Sequence, residues 1–116
     1  MSVKAGGTGG AVKYEIREYE TADGKSPYGD WIRGLRDRYG QAKVRTRLDR
    51  VTTGNFGVHH GVGDGVMELV IDVGPGYRVY YGLDGDTLVI LLGGGDKKTQ
   101  QSDIRLAKMY WAEYWR

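Results

Sequence analysis

The side chains best suited to chemistry in this sequence fall in its second half: the adjacent pair His59 and His60, then Glu68, Arg78 and the pair Lys97 and Lys98. Imidazole is the side chain best poised for proton transfer near neutral pH, so either histidine is a candidate acid or base. A loop histidine without a chemical role is the alternative. Neighbours in an extended chain point opposite ways, which makes the two histidines a poor chelating pair. The sequence has no cysteine, so thiolate metal sites, disulfides and thiol catalysis are all excluded. No metal and no cofactor are expected.

Glu68 and Arg78 fall on neighbouring predicted strands, where a cross-strand ion pair is one role for both. Glu68 would either act as a general base or orient Arg78, and orientation is favoured. Lys97 and Lys98 follow Gly93-Gly94-Gly95, a permissive backbone that would let a phosphate approach main-chain amides. The spacing is not the GxxxxGK[ST] of a nucleotide-binding loop.

Charge is distributed unevenly. The whole chain of 116 residues carries a formal charge of +2. Between Trp31 and Arg50, seven basic residues (Arg33, Arg36, Arg38, Lys43, Arg45, Arg47 and Arg50) face only Asp37 and Asp49, a local charge of +5. Such a patch suits phosphates or an acidic partner, and Arg45, Arg47 and Arg50 are candidate substrate contacts. Solvated helix faces are the ordinary alternative.

These residues need elements to hold them. Length and composition fit one soluble domain, residues 12–116, behind a glycine-rich flexible tail at residues 1–11. No apolar run approaches the roughly 18 residues of a membrane span, and no secretory signal is recognisable, so a cytoplasmic location is expected. Val12, Tyr14 and Ile16 alternate with charged residues as in a half-buried strand. Ser26-Pro27 supplies an N-cap and a first-turn proline for a helix whose apolar face is Tyr28, Trp31, Ile32, Leu35 and Tyr39, with Gly40 placed to end it. A second helix from about Gln41 to Thr53 completes an antiparallel hairpin. Gly54 to Gly65, with five glycines, is expected to be a loop. Three strands follow as an antiparallel meander: Val66 to Val73, Tyr77 to Leu83 and Thr87 to Leu92. The third is apolar throughout and belongs between the second meander strand and the first strand of the chain. A helix from about Gln100 buries Ile104, Ala107, Trp111 and Tyr114. The expected fold is α+β, in the order βααβββα. It has a four-stranded, mainly antiparallel sheet, an N-terminal helical hairpin on one face and a concave basic face opposite. On the second meander strand Tyr77, Val79 and Tyr81 are assigned to the core, and Arg78 and Tyr80 share the open face with Glu68.

The element order and four strings resemble the RelE/ParE toxin superfamily, particularly its HigB-like branch of addiction module killer proteins. The strings are Ser26-Pro-Tyr-Gly-Asp-Trp31, Gly65-Val-Met-Glu-Leu-Val70, Gly74-Pro-Gly-Tyr-Arg-Val-Tyr-Tyr81, and Leu91-Leu-Gly-Gly-Gly-Asp-Lys-Lys-Thr-Gln100 followed by Asp103-Ile104. The resemblance spans about Tyr14 to Trp111. It implies the toxin of a type II toxin–antitoxin system that enters the ribosome and cleaves mRNA, inhibiting translation. The alternative in the ParE branch is a non-catalytic poison of DNA gyrase. It further implies a cognate helix-turn-helix antitoxin as partner, and a third reading is a transcriptional corepressor role alone, exerted only in complex with that antitoxin. In ribonuclease members an arginine of the middle meander strand and basic residues after the last strand line the site, the places of Arg78 and of Lys97 or Lys98 here. Some members carry an aromatic residue or histidine in the first turn of the last helix, where this chain has Gln101, Ser102 and Asp103.

RNA cleavage of that kind has the substrate's 2′-hydroxyl attack the adjacent phosphate in line, which demands positioning and stabilisation of extra negative charge. Arginine suits it, because its planar fork grips phosphate oxygens in pairs and remains charged. Tyr80, beside Arg78, is the candidate for stacking on a base.

Overall fold

The computed structural model describes residues 13–116, so the tail expected at residues 1–11 lies outside the described residues. The elements are β1 (Glu15–Glu18), α1 (Pro27–Gly34), α2 (Arg38–Thr52), β2 (His59–Gly63), β3 (Val66–Ile71), β4 (Tyr77–Asp84), β5 (Leu88–Asp96) and α3 (Gln100–Tyr114), with a 3-10 turn at Lys97–Thr99 leading into α3. They build one five-stranded sheet in the order β1-β5-β4-β3-β2. β1 runs parallel to β5 and the other pairs are antiparallel. The apolar strand β5 therefore lies inside the sheet, as its composition requires.

The sheet has five strands and not four, because the glycine-rich segment expected to be a loop forms β2. Its turn into β3 uses Gly63, Asp64 and Gly65 at φ +103°, +57° and +82°, a left-handed path that glycine makes cheap at two of the three positions. The hairpin helices also divide elsewhere than expected. Ser26 caps α1 by accepting from the Gly29 N–H at 2.9 Å, but α1 stops at Gly34 and Leu35 is extended. Asp37 then caps α2, accepting from the Gly40 N–H at 3.0 Å. Gly40 thus sits in the first turn of α2 rather than between the helices, buried where any Cβ would collide with the Tyr77 ring. The Tyr77 hydroxyl donates to Asp37 Oδ2 at 2.7 Å. That bond and the bond from Gly40 hold the Asp37 carboxyl below its usual range, and burial with Asp37 pushes the Tyr77 phenol up to about 12. Tyr39, expected on the core face, is 63% exposed.

Each face of the sheet carries a core. On one, Tyr28 and Ile32 of α1 and Val44, Leu48 and Val51 of α2 pack against Leu69, Ile71, Tyr77, Val79, Tyr81, Val89 and Leu91. On the other, Ala107 and Trp111 of α3 cover Val66, Tyr80, Ile90 and Leu92. The face expected to be open and concave is therefore roofed by α3 along much of its length. Full burial of a Tyr, Leu or Ile in either layer contributes roughly 1.5–3 kcal/mol.

The glycines of β5 make this two-sided packing possible. A Cβ on Gly94 would run into the Trp31 ring, and one on Gly95 would run into Asp103, with Thr99 Oγ1 at 2.9 Å. These glycines admit side chains from opposite layers and are ladder residues of a paired strand, which replaces the expectation of a phosphate-cradling turn. Gly94→Ala should lower the urea midpoint by an amount equivalent to about 1–3 kcal/mol, the usual cost of overpacking. Gly93→Ala, with nothing within 4 Å of its Cβ, should leave the midpoint nearly unchanged. Equal midpoints for the two variants would show that Trp31 does not seat on β5.

Candidate functional site

Strand register assembles the site. His60 of β2 pairs with Glu68 of β3, and Glu68 pairs with Tyr80 of β4, so these three form a row across the sheet on the α3 side. Arg78, two residues from Tyr80 along β4, projects to the same side and pairs with Gly95 of β5. The first residue of α3, Gln100, descends on the row from above.

At the centre Glu68 is fully buried. A buried carboxylate is costly unless its oxygens are matched by donors or charges, and three elements supply them. Gln100 Nε2 donates to Glu68 Oε2 at 2.8 Å. His60 Nε2 lies 2.7 Å from Oε1, off the line of an ideal hydrogen bond, so that Oε1 is held by proximity more than by alignment. Arg78 Nε stands 3.8 Å from Oε2, an electrostatic contact without a hydrogen bond. The Tyr80 hydroxyl is buried beside them without a well-aligned partner, and burial followed by Glu68 drives its pKa up.

The side chains differ sharply in access. That of Glu68 is 1% exposed, that of Arg78 12%, and that of His60 54%. The guanidinium of Arg78 makes one long bond, from Nη1 to the Tyr77 carbonyl at 3.4 Å, which leaves most of its fork unused by the protein. Gly76, in the turn before β4, has both Arg78 Nη1 and Lys97 Cβ 3.6 Å from the place of a Cβ, so Arg78 and Lys97 flank one glycine. Lys97 and Lys98, together with Pro75 and Asp96, line a shallow cavity of about 440 Å³ there. Their turn is fixed by a capping box in which Asp96 accepts from the N–H groups of Lys98 and Thr99 at 2.9 and 3.2 Å. Burial raises the Asp103 carboxyl pKa, partly offset by the bond from Thr99.

His60, Glu68, Arg78 and Gln100 are thus brought together on the α3 face of the sheet, with Lys97 next to Arg78 at Gly76 and Lys98 following it in the turn. Sequence reasoning passed over Gln100, because a glutamine at a helix start signals nothing by type. Other candidates fall elsewhere. His59 points to the opposite face, packs on Phe56 at 5.4 Å between ring centres, and places Nδ1 2.8 Å from the Gly57 carbonyl. Tyr80 is fully buried and presents no ring face to a base, which corrects its assignment to an open surface. Arg45 and Arg50 are exposed on α2, across the sheet from Arg78. Arg47 is consumed by the fold: its guanidinium donates to the carbonyls of Val70 at 2.5 Å and of Phe56 and Val58 at 2.9 Å each. Burial lowers its pKa. It ties α2 to β3 and to the segment entering β2, so it is not a substrate contact.

The architecture is a mixed α+β domain with a polar, largely buried cluster on the α3 face of the sheet, whose exposed member is His60. The chain belongs to the phage derived protein Gp49-like (DUF891) family, whose model matches residues 30–111. An uncharacterised protein of Haemophilus influenzae is 46% identical over 82 residues, 71% of this chain and 83% of the relative. All six gathered residues lie within the span that matches the family.

Arg47→Met should destabilise the domain by about 1–3 kcal/mol for the carbonyls it leaves without a donor, and amide exchange in β2 should accelerate more than in α3. Arg50→Met, at an exposed position, should stay within about 0.5 kcal/mol of the parent. An Arg47 variant as stable as the Arg50 variant would return Arg47 to the list of free basic residues.

Proposed function

We propose that this chain is the toxin of a type II toxin–antitoxin system, of the HigB-like branch of the RelE/ParE superfamily, and that it cleaves mRNA on the ribosome. The Gp49-like family is related to RelE/HigB-type toxins, which supports the reading at family level. The observation that carries it is Arg78. This largely buried arginine is backed by a buried carboxylate, has most of its fork unused, and flanks Gly76 together with Lys97, which lines a shallow cavity.

A guanidinium so placed would contact non-bridging phosphate oxygens, and Lys97 and Lys98 would add positive charge where the transition state gains negative charge. The reaction needs only the substrate's own 2′-hydroxyl as nucleophile, so cleavage should persist in chelator wherever the ribosome stays intact. Exposed Arg45 and Arg50 lie on another face and would act as docking charges, not at the scissile bond. A helix-turn-helix antitoxin encoded beside the toxin would hold it inactive in the cytoplasm.

Expression of the chain alone should arrest growth with a fall in protein synthesis. Arg78→Ala should abolish that arrest, and Arg78→Lys should restore it only in part, because a point charge cannot grip two oxygens. Both variants should remain folded at the assay temperature, Arg78→Ala with a lowered thermal midpoint because it withdraws a cation from beside the buried Glu68 carboxylate. Protein synthesis and DNA supercoiling are measured together after induction. Normal translation with loss of supercoiling would replace this reading with the gyrase poison, and a fully toxic Arg78→Ala would remove Arg78 from the site.

A further inference from the structure

We propose that His60 is the residue that accepts the proton in this site, through Nδ1, and that Glu68 and Gln100 are the positioning residues that aim it. This inference rests on the ribonuclease reading and adds to it the identity of the proton acceptor.

The geometry selects one histidine of the adjacent pair. His59 faces the α2 layer and is held against the Gly57 carbonyl. His60 faces the layer of Arg78, with its Nε2 at 2.7 Å from a carboxylate oxygen. A ring-nitrogen lone pair that close to a carboxylate would be repelled, so Nε2 carries the proton and the lone pair of the neutral ring is on Nδ1. The side chain is about half exposed, so a substrate can reach the ring. Glu68 cannot take this role itself. It is sealed from solvent, with Oε2 occupied by Gln100 and Oε1 covered by His60. Its position matches that of a carboxylate that orients an imidazole and steadies the imidazolium formed during reaction.

Gln100 completes the array from a third element. It is the first residue of α3 and directly follows the 3-10 turn fixed by the Asp96–Thr99 capping box, so the turn that presents Lys97 and Lys98 also delivers the amide that holds Glu68. One carboxylate thereby fixes His60 on β2 and Arg78 on β4 relative to each other, the two groups that a 2′-hydroxyl and its phosphate would meet together.

The step balances. His60 Nδ1 removes the 2′-hydroxyl proton as the 2′-oxygen bonds to phosphorus, and the bond from phosphorus to the 5′-oxygen breaks. The departing oxygen takes a proton from water, and the imidazolium gives its proton to the resulting hydroxide. The products are a 2′,3′-cyclic phosphate and a 5′-hydroxyl end, with no net change in protons.

The test is single-turnover mRNA cleavage by purified chain on programmed ribosomes, with His60→Ala, His59→Ala, Gln100→Ala and Glu68→Gln beside the parent. His60→Ala should lose about 10²- to 10⁴-fold in rate, the usual worth of a positioned acid or base, and added imidazole should restore part of it. His59→Ala should cleave at the parental rate. Gln100→Ala and Glu68→Gln should lower the maximal single-turnover rate, and imidazole should restore neither, because the ring they aim is still present. In ¹⁵N-histidine-labelled parent, the ring ¹⁵N shifts of His60 should report the Nε2–H tautomer, and that preference should weaken in Glu68→Gln. Gln100 sits at the helix start and its variant should fold, which covers the case of an unfolded Glu68→Gln. Parental cleavage by His60→Ala, or a rate loss that imidazole fails to restore, would overturn the proposal while the toxin reading stands. A parent that cleaves no mRNA at all would remove that reading and the role of His60 with it.

Discussion

A carboxylate without access to water must find its partners inside the protein, and in this fold that requirement falls on Glu68 at the middle of β3. Its oxygens draw on β2 through His60, on β4 through Arg78 and on α3 through Gln100. Removing any one leaves part of a buried charge uncompensated, which costs more than an ordinary lost hydrogen bond. The cluster therefore couples three elements that apolar packing alone would position only loosely. The edge strand, the central meander and the start of the last helix share one electrostatic centre.

The edge strand β2 depends on such anchoring more than any other element. Three of its five residues are His59, His60 and Gly61, all exposed, and they offer little apolar area to bury. It is held from both sides of the sheet by polar side-chain contacts. From the α2 side Arg47 binds the carbonyls of Phe56 and Val58, just before the strand begins. From the α3 side Glu68 engages His60. The contacts come from two different elements, α2 and β3, so the strand is secured only when both have docked on the edge segment.

That dependence explains which parts of the molecule were legible in the sequence. Alternation and turn chemistry located β3, β4 and β5, and the side-chain sets of β4 were sorted correctly, with Tyr77, Val79 and Tyr81 against the helical hairpin and Arg78 and Tyr80 opposite. These patterns are local. The closure of the opposite face by Ala107 and Trp111 depends on where α3 lands, which periodicity does not state, so Tyr80 passed for a surface residue. Gly40 looked like a helix end because glycine is common there, whereas its missing side chain makes room for Tyr77, a residue distant in the chain that also binds Asp37. Arg47 matched its exposed neighbours in type and spacing, and only the three carbonyls around it distinguish it. At the candidate site, the chemically conspicuous residues His60, Glu68, Arg78 and Lys97 could be nominated by type. Their convergence, and the place of Gln100 among them, follow from strand register and helix docking.

The two partly buried arginines give the strongest internal comparison for the site. Arg47 spends its terminal nitrogens on three carbonyls with good geometry, as expected of an arginine kept for structure. Arg78 is similarly enclosed yet makes a single bond of 3.4 Å and sits 3.8 Å from the nearest carboxylate oxygen. Among the described residues, four buried side-chain polar atoms have no hydrogen-bond partner, and three of them, Glu68 Oε1, Arg78 Nε and the Tyr80 hydroxyl, belong to this one cluster. Each such atom costs stability, and an apolar replacement of similar shape would often be neutral or better. A concentration of that cost on one face of the sheet, beside an exposed imidazole and two lysines, is poorly matched to a structural role. It fits a site whose polar groups are arranged for a ligand rather than for one another.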